Sequence, residues 1–261
     1  MKRAGRLATM TLLAAMLGCD APRDASKSAG PPIEGYHLVW SDEFEGTTLD
    51  TTKWGYRYLG KRRDAMNVKG TVTLDGDGHL VLTTRRNGDG YEAAMIGTEG
   101  TFETTFGYFE CRVKLQREVG HWSAFWIQSP TIGEPIDDPA LAGTEIDVFE
   151  YLRKHGDRVV HNLHWNGYGE HKRSVGGRAE VEGLSEGWHT FGVLWTESGY
   201  VFYVDGVETW RTQKGVSQRP QYMILSLEVG KWAGDIREAN LPDHLLVDYV
   251  RVYQQASAEA P

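Results

Sequence analysis

Disulfide stapling is nearly excluded, because the sequence holds only two cysteines, Cys19 and Cys111. Cys111 lies in Phe109-Glu110-Cys111-Arg112-Val113-Lys114-Leu115. There it shares the apolar side of an alternating pattern and reads as a small buried hydrophobe rather than a nucleophile. Stability must then come from a packed core. Basic charge is also short: 28 Lys and Arg stand against 36 Asp and Glu, for a net charge of -8. Such a chain is a poor candidate for nonspecific nucleic-acid binding, which rests on neutralising phosphates. The apolar run over residues 7–17 is too short to span a bilayer, and no long helical period follows. Residues 61–67 have room for one turn of helix.

What is abundant is glycine and aromatic side chains, with 31 Gly, nine Trp and twelve Tyr. That combination suits turn-rich strands and flat sugar-stacking platforms. A length of 261 residues fits one large domain.

Residues 1–18 have the form of an export signal: Lys2, Arg3 and Arg6 precede the apolar run. The run ends Met16-Leu17-Gly18-Cys19, which resembles a bacterial lipoprotein processing site with Cys19 as the lipidated residue; Met16 stands where Leu is usual. The alternative is an ordinary secretory signal with an incidental cysteine. Removing residues 1–18 leaves 25 basic against 36 acidic residues, since Lys2, Arg3 and Arg6 go with them. Residues 19–35, rich in Ala, Ser, Gly and Pro, read as a flexible tether. The domain is expected over residues 36–255, followed by a short tail at 256–261.

Within the domain, short alternating segments recur between Gly-containing turns such as Asp75-Gly76-Asp77-Gly78, Glu197-Ser198-Gly199 and Asp205-Gly206. This spacing predicts an all-β sandwich or jelly roll. Three segments sort into a core face and a polar or aromatic face. In residues 121–128, Trp122 and Trp126 lie opposite Phe125 and Ile127. In 159–166, Asn162, His164 and Asn166 lie opposite Val159, Leu163 and Trp165. In 222–229, Tyr222, Ser226 and Glu228 lie opposite Met223, Leu225, Leu227 and Val229. The outward faces together have the chemistry of a carbohydrate cleft, where rings stack on sugar faces and polar groups bond hydroxyls. The Pro-containing connection at 129–144 is expected to rim it.

At its centre stands Glu145-Ile146-Asp147-Val148-Phe149-Glu150. In an extended strand Glu145 and Asp147 share a face, while Glu150 is out of step. One extra residue near Val148-Phe149, a β-bulge, would bring Glu150 back. A solvated acidic strand edge is the plain alternative. Clustered carboxylates above an apolar face instead suit glycoside hydrolysis, which uses one ionised and one protonated carboxyl.

These residues resemble glycoside hydrolase family 16, the laminarinase, agarase and carrageenase group, over roughly residues 37–254. The acidic motif carries the likeness. Supporting stretches, in family order, are Trp40-Ser41-Asp42-Glu43-Phe44, Gly107-Tyr108-Phe109-Glu110-Cys111-Arg112, Gly120-His121-Trp122-Ser123-Ala124-Phe125-Trp126, Trp188-His189-Thr190-Phe191, Phe202-Tyr203-Val204-Asp205-Gly206 and Val247-Asp248-Tyr249-Val250-Arg251-Val252-Tyr253. Ser123 stands where many members have Pro. The resemblance implies a concanavalin A-like jelly roll of two antiparallel sheets with a concave-face cleft. It also implies Glu145 as nucleophile and Glu150 as general acid/base, with Asp147 between them; as the acid closest to Glu145, Asp147 is expected to hold the nucleophile's orientation and proton inventory. His164 matches a position near the acid/base; its plain reading is a solvated strand histidine. Trp122 and Trp126 are candidate sugar platforms, with a core role open for Trp126. Glu228 and Asn162 are candidate substrate contacts. No cofactor is required; some members bind a structural calcium through positions matching Glu43 and Asp248. His161 and His164 would face opposite ways, which argues against a zinc pair.

The expected function is that of an endo-acting, retaining β-glycanase. It would be a monomer, exported and held at a bacterial membrane only by a lipid on Cys19, or otherwise secreted. A non-catalytic glycan-binding module and a transglycosylase are the rival readings. The substrate expectation is a neutral β-1,3(-1,4)-glucan, with a red-algal galactan as runner-up. Lys61-Arg62-Arg63, Arg85-Arg86 and His171-Lys172-Arg173 are candidate cations beside the cleft, or else solvated loop charges.

Overall fold

The computed structural model describes residues 33–256. The export signal, Cys19 and most of the tether lie outside the described residues, as do residues 257–261. In chain order the strands are β1 (Tyr36–Asp42), β2 (Gly55–Tyr56), β3 (Gly60–Arg62), β4 (Ala65–Asn67), β5 (Val72–Leu74), β6 (Leu80–Asn87), β7 (Gly90–Gly97), β8 (Gly107–Lys114) and β9 (His121–Gln128). There follow β10 (Glu145–Leu152), β11 (Arg158–Trp165), β12 (Arg173–Glu180), β13 (His189–Thr196), β14 (Gly199–Val204), β15 (Val207–Thr212), β16 (Tyr222–Val229) and β17 (Asp243–Gln255).

They form a jelly-roll sandwich. One antiparallel sheet runs β5-β6-β17-β8-β13-β14-β15, with β1 beside the last part of β17. The other runs β7-β16-β9-β10-β11-β12 and is antiparallel throughout. The turns between strands follow local chemistry. Asp205 and Gly206, both with positive φ (50° and 75°), join β14 to β15 in the mirror-image turn that matches strand twist.

Alternation does the sorting between the sheets. Phe109, Cys111 and Val113 of β8 meet Phe125 and Ile127 of β9, Ile146 and Val148 of β10, and Met223, Leu225 and Leu227 of β16 in one buried cluster. Phe149 stacks on Phe191 of the opposite sheet at 4.2 Å between ring centroids, tying the two layers together directly behind the acidic motif.

Residues 61–67 form no helix. They belong to the β3–β4 hairpin, where Lys61 pairs with Met66 and Arg62 with Ala65. Buried Ala65 and Asn67 flank exposed Met66, a period of two rather than 3.6, and Arg63 turns the chain with φ 51°. Pro139–Ala142 is the only α-helix among the described residues; the Asp138 side chain caps it by accepting from the Leu141 N–H.

Candidate active site

The parity problem of the acidic motif resolves in a bulge. Asp147 of β10 pairs with Asn162 of β11, and the next paired residue is Glu150, opposite Val160. Against β9 the register slips between Asp147 and Phe149. Val148 and Phe149 are consecutive, yet both are fully buried in the core. The extra residue puts Glu145, Asp147 and Glu150 on one face, where all three line a cleft of about 660 Å³.

Each acid has its own environment. Glu145 Oε2 accepts hydrogen bonds from Gln128 Nε2 (2.9 Å) and from the Tyr168 hydroxyl. Burial first, and then the Glu145 charge, hold Asp147 well above the ordinary carboxyl range. His164 Nε2 sits 3.5 Å from Asp147 Oδ2 and 3.9 Å from Glu145 Oε1. Burial holds that imidazole below its usual range despite the carboxylates beside it. Glu150 is pushed up to about 8 by burial first and by Asp147 next. Asn162 Nδ2, which donates to Glu150 Oε2 over 2.7 Å, works against that rise. At neutral pH Glu150 therefore carries a proton, on the same face of β10 as Glu145, whose Oε2 accepts two hydrogen bonds.

Trp122 and Trp126 both line the cleft. Trp122 meets Trp232 edge-on, with centroids 5.0 Å apart. Trp126 is pinned by its indole N–H to Ser226 Oγ (3.2 Å) and packs with Met95, Tyr222 and Ile224, so it is a cleft wall and part of a small core at once. Glu228 lies in the cleft as anticipated, but its Oε2 is engaged by Arg62 Nε at 2.8 Å and Arg63 Nε at 3.0 Å. The Arg62-Arg63 pair therefore borders the cleft, whereas Arg85 pairs with Glu92 and Arg86 covers Tyr91. Asn162 is bonded to the acid/base candidate, so its amide serves Glu150 before any sugar. His161 faces the core, between the Val148 carbonyl and Thr209, opposite in direction to His164.

The two acids expected to hold calcium do not fit that ion. Glu43 accepts from both Nε and Nη2 of Arg251 at 2.9 Å, and fully buried Asp248 faces Arg112 Nη1 at 2.7 Å. Guanidinium groups fill the positions that a cation needing six to eight oxygens would require. Glu145, Asp147 and His164 also offer ligand atoms within 4.8 Å of one another.

Gln128, Tyr168, Tyr58 and Trp232 complete the cleft and did not emerge from the sequence as candidates. Gln128 follows the parity of Trp122 and Trp126 and was legible by extending that face one step. Tyr168 was not, because a loop clasp delivers it. Asn166, buried with φ 64°, donates from Nδ2 to Asp137 Oδ1 (2.7 Å) and accepts from the Asp137 N–H (3.1 Å). Gly133 lies against Gly167 so closely that a Cβ on Gly133 would come within 2.7 Å of the Gly167 backbone. Residues 129–144 thus back the Tyr168 loop rather than rim the cleft themselves.

The comparisons with known proteins agree with this geometry. The chain is 27% identical over 267 residues to the glucan endo-1,3-beta-glucosidase A1 of Niallia circulans, covering 86% of this chain and 39% of that protein. The chain therefore spans less than half the length of that relative. It is 27% identical over 279 residues to a beta-glucanase of Rhodothermus marinus, covering 94% of each. Among solved structures, the catalytic domain of an endo-1,3-beta-glucanase (laminarinase) from Thermotoga petrophila superposes with a TM-score of 0.73 at 29% identity, covering 86% of this chain and all of that one. The family model described as glycosyl hydrolases family 16 matches residues 60–251, most of the chain, including β7, β9, β10, β11, β12 and β16. The chain belongs to glycosyl hydrolase family 16.

Proposed function

We propose that this protein is an endo-acting, retaining β-glycan hydrolase whose substrate is a β-1,3(-1,4)-glucan. One observation carries the reading: the β10 bulge sets Glu145 and Glu150 on one wall of an open cleft, with Glu150 raised to about 8 and so protonated at neutral pH. In a retaining mechanism two such carboxyls flank the scissile bond at about 5–5.5 Å. A Glu145 oxygen attacks the anomeric carbon while the Glu150 proton passes to the leaving glycosidic oxygen, whose bond to that carbon breaks. Ionised Glu150 then takes a proton from water as the water oxygen attacks the same carbon. This frees Glu145 and returns the proton to Glu150. Side chains supply every transfer, so no cofactor enters. The relatives named as glucanases support the glucan backbone over a galactan.

The leader and Cys19 support an exported, lipid-anchored enzyme at a bacterial surface or in the periplasm. Reducing-end release from laminarin, mixed-linkage glucan and agarose by wild type and Glu145→Ala tests the activity. Laminarin cleavage lost in the variant is expected. Equal behaviour of the two proteins, with glycan binding retained, would mean a binding module. Agarose cleavage would move the substrate to galactans.

A further inference from the structure

The protein is acidic overall, yet its cationic side chains are unevenly placed. A second cavity, of about 620 Å³, adjoins the catalytic cleft, and Trp232 lines both. Its floor is the outward face of β11 and β12, immediately beyond the acid/base residue. Glu150 pairs with Val160, and Val160 pairs with Arg178, so Arg178 stands two strands from Glu150 in the same cross-sheet row. Two strand spacings amount to roughly 10 Å, within a disaccharide's reach of the scissile bond. Beside that row Asn162 pairs with Gly176 and lays its amide over the glycine, where a Cβ would come within 2.3 Å of Asn162 Oδ1.

The walls of this cavity are basic. Arg158, His155 and Arg178 line it, and Lys154, which bonds the Trp232 carbonyl, adjoins it. Glu180 faces Arg158 at 2.5 Å and is the acid opposing them. Exposed Arg178 has no ion pair among the described residues. Burial, then the charges of Lys154, Arg158 and Arg178, hold His155 below its ordinary range. A neutral glucan offers nothing for such a cluster to neutralise. An anionic group on a sugar does, because guanidinium forks bond carboxylate and sulfate oxygens in two-point geometry.

We propose that the β11–β12 groove is a binding site for an anionic substituent, carboxylate or ester sulfate, on a glycan that also occupies the catalytic cleft. Arg178 is its principal anion-binding residue and Arg158 supports it. The proposal rests on the β-glucan reading for the backbone and adds an acidic decoration to it.

The test uses the full chain carrying Glu145→Gln, to hold the glycan uncut, with and without Arg178→Ala. Affinity for plain laminarin, carboxymethylated laminarin and sulfated laminarin is measured at low and high salt. Both acidic polymers are expected to bind about fivefold more tightly than plain laminarin at low salt, as for a partly exposed ion pair. That advantage should shrink with salt and with Arg178→Ala. Preference for only one acidic polymer supports the site and identifies its anion. Equal affinity for neutral and acidic polymers overturns the proposal, as does an advantage that survives Arg178→Ala or the binding of none of the three. Cleavage of plain laminarin by the unmodified enzyme judges the glucan reading independently. If the Glu145 variant folds poorly, the ratio of kcat/KM on acidic to neutral polymer, with and without Arg178→Ala in the active enzyme, tests Arg178 in its place.

Discussion

Asn162 Nδ2 donates to Glu150 Oε2 across 2.7 Å, and it does so over a glycine: a Cβ on Gly176 would lie 2.3 Å from Asn162 Oδ1. The bond favours the ionised carboxyl and restrains a pKa that burial has raised to about 8. Asn162→Ala should therefore raise it further and move the alkaline limb of kcat/KM upward, since that limb reports the free enzyme's acid. Gly176→Ala, which displaces the amide without removing it, should move the limb in the same direction. A merely structural role would lower activity and leave the limb in place.

The same raised carboxyl sets a stability dependence. A folded-state pKa near 8, against an ordinary value of 4.5, means the folded protein binds more protons between those values. Stability then falls as pH rises through that window. Glu150→Gln removes the titration. The variant should gain stability on wild type as pH rises from 4.5 to about 8 in urea melts, while losing activity by roughly 10²–10⁴-fold.

Tyr168 and Gln128 share Glu145 Oε2 as acceptor, so Tyr168→Phe leaves one of two donors. A hydrogen bond to a charged group contributes about 1.5–3 kcal/mol, which predicts a fall in kcat of about tenfold or more with KM little changed. Disrupting the clasp with Asp137→Ala should give a smaller fall of the same kind. Steady-state kinetics on laminarin would separate this from a loss of sugar contacts, which would raise KM instead.

Legibility in the sequence followed periodicity. Where a period of two held, the faces of β9, β10, β11 and β16 were readable, and even the out-of-step Glu150 announced its bulge. Period failed where side chains from unrelated segments meet. The Arg62 and Arg63 grip on Glu228 joins residues 165 or more positions apart. Tyr168 reaches Glu145 only because two glycines let two loops touch. Glu43 and Asp248 looked like calcium ligands because carboxylates are visible in a sequence, whereas the arginines that meet them in space are not.

Glu228 is nearly buried and bonded by two partly exposed guanidiniums. Glu228→Gln should cost about 1 kcal/mol in urea unfolding, near the lower end for an unsatisfied polar group, because both arginines can turn to water. The β3–β4 hairpin should loosen as well, seen as faster amide exchange at Asp64, whose N–H bonds the Val229 carbonyl (3.2 Å).

Phe149→Ala removes a ring stacked between the sheets and should cost about 3–5 kcal/mol, measured as a lowered urea midpoint. Deleting Val148 should be worse for activity than for folding, because it turns Glu150 toward the core while leaving most of the sandwich able to pair.

The bulge also has a consequence for how this chain can vary. Chemistry at β10 depends on a count of residues as much as on their identities, much as a reading frame does. Substitutions at Ile146, Val148 or Phe149 adjust packing by degrees. A single-residue insertion or deletion between Asp147 and Glu150 should instead part Glu145 from Glu150 in one step, in a sandwich whose strands can for the most part still pair.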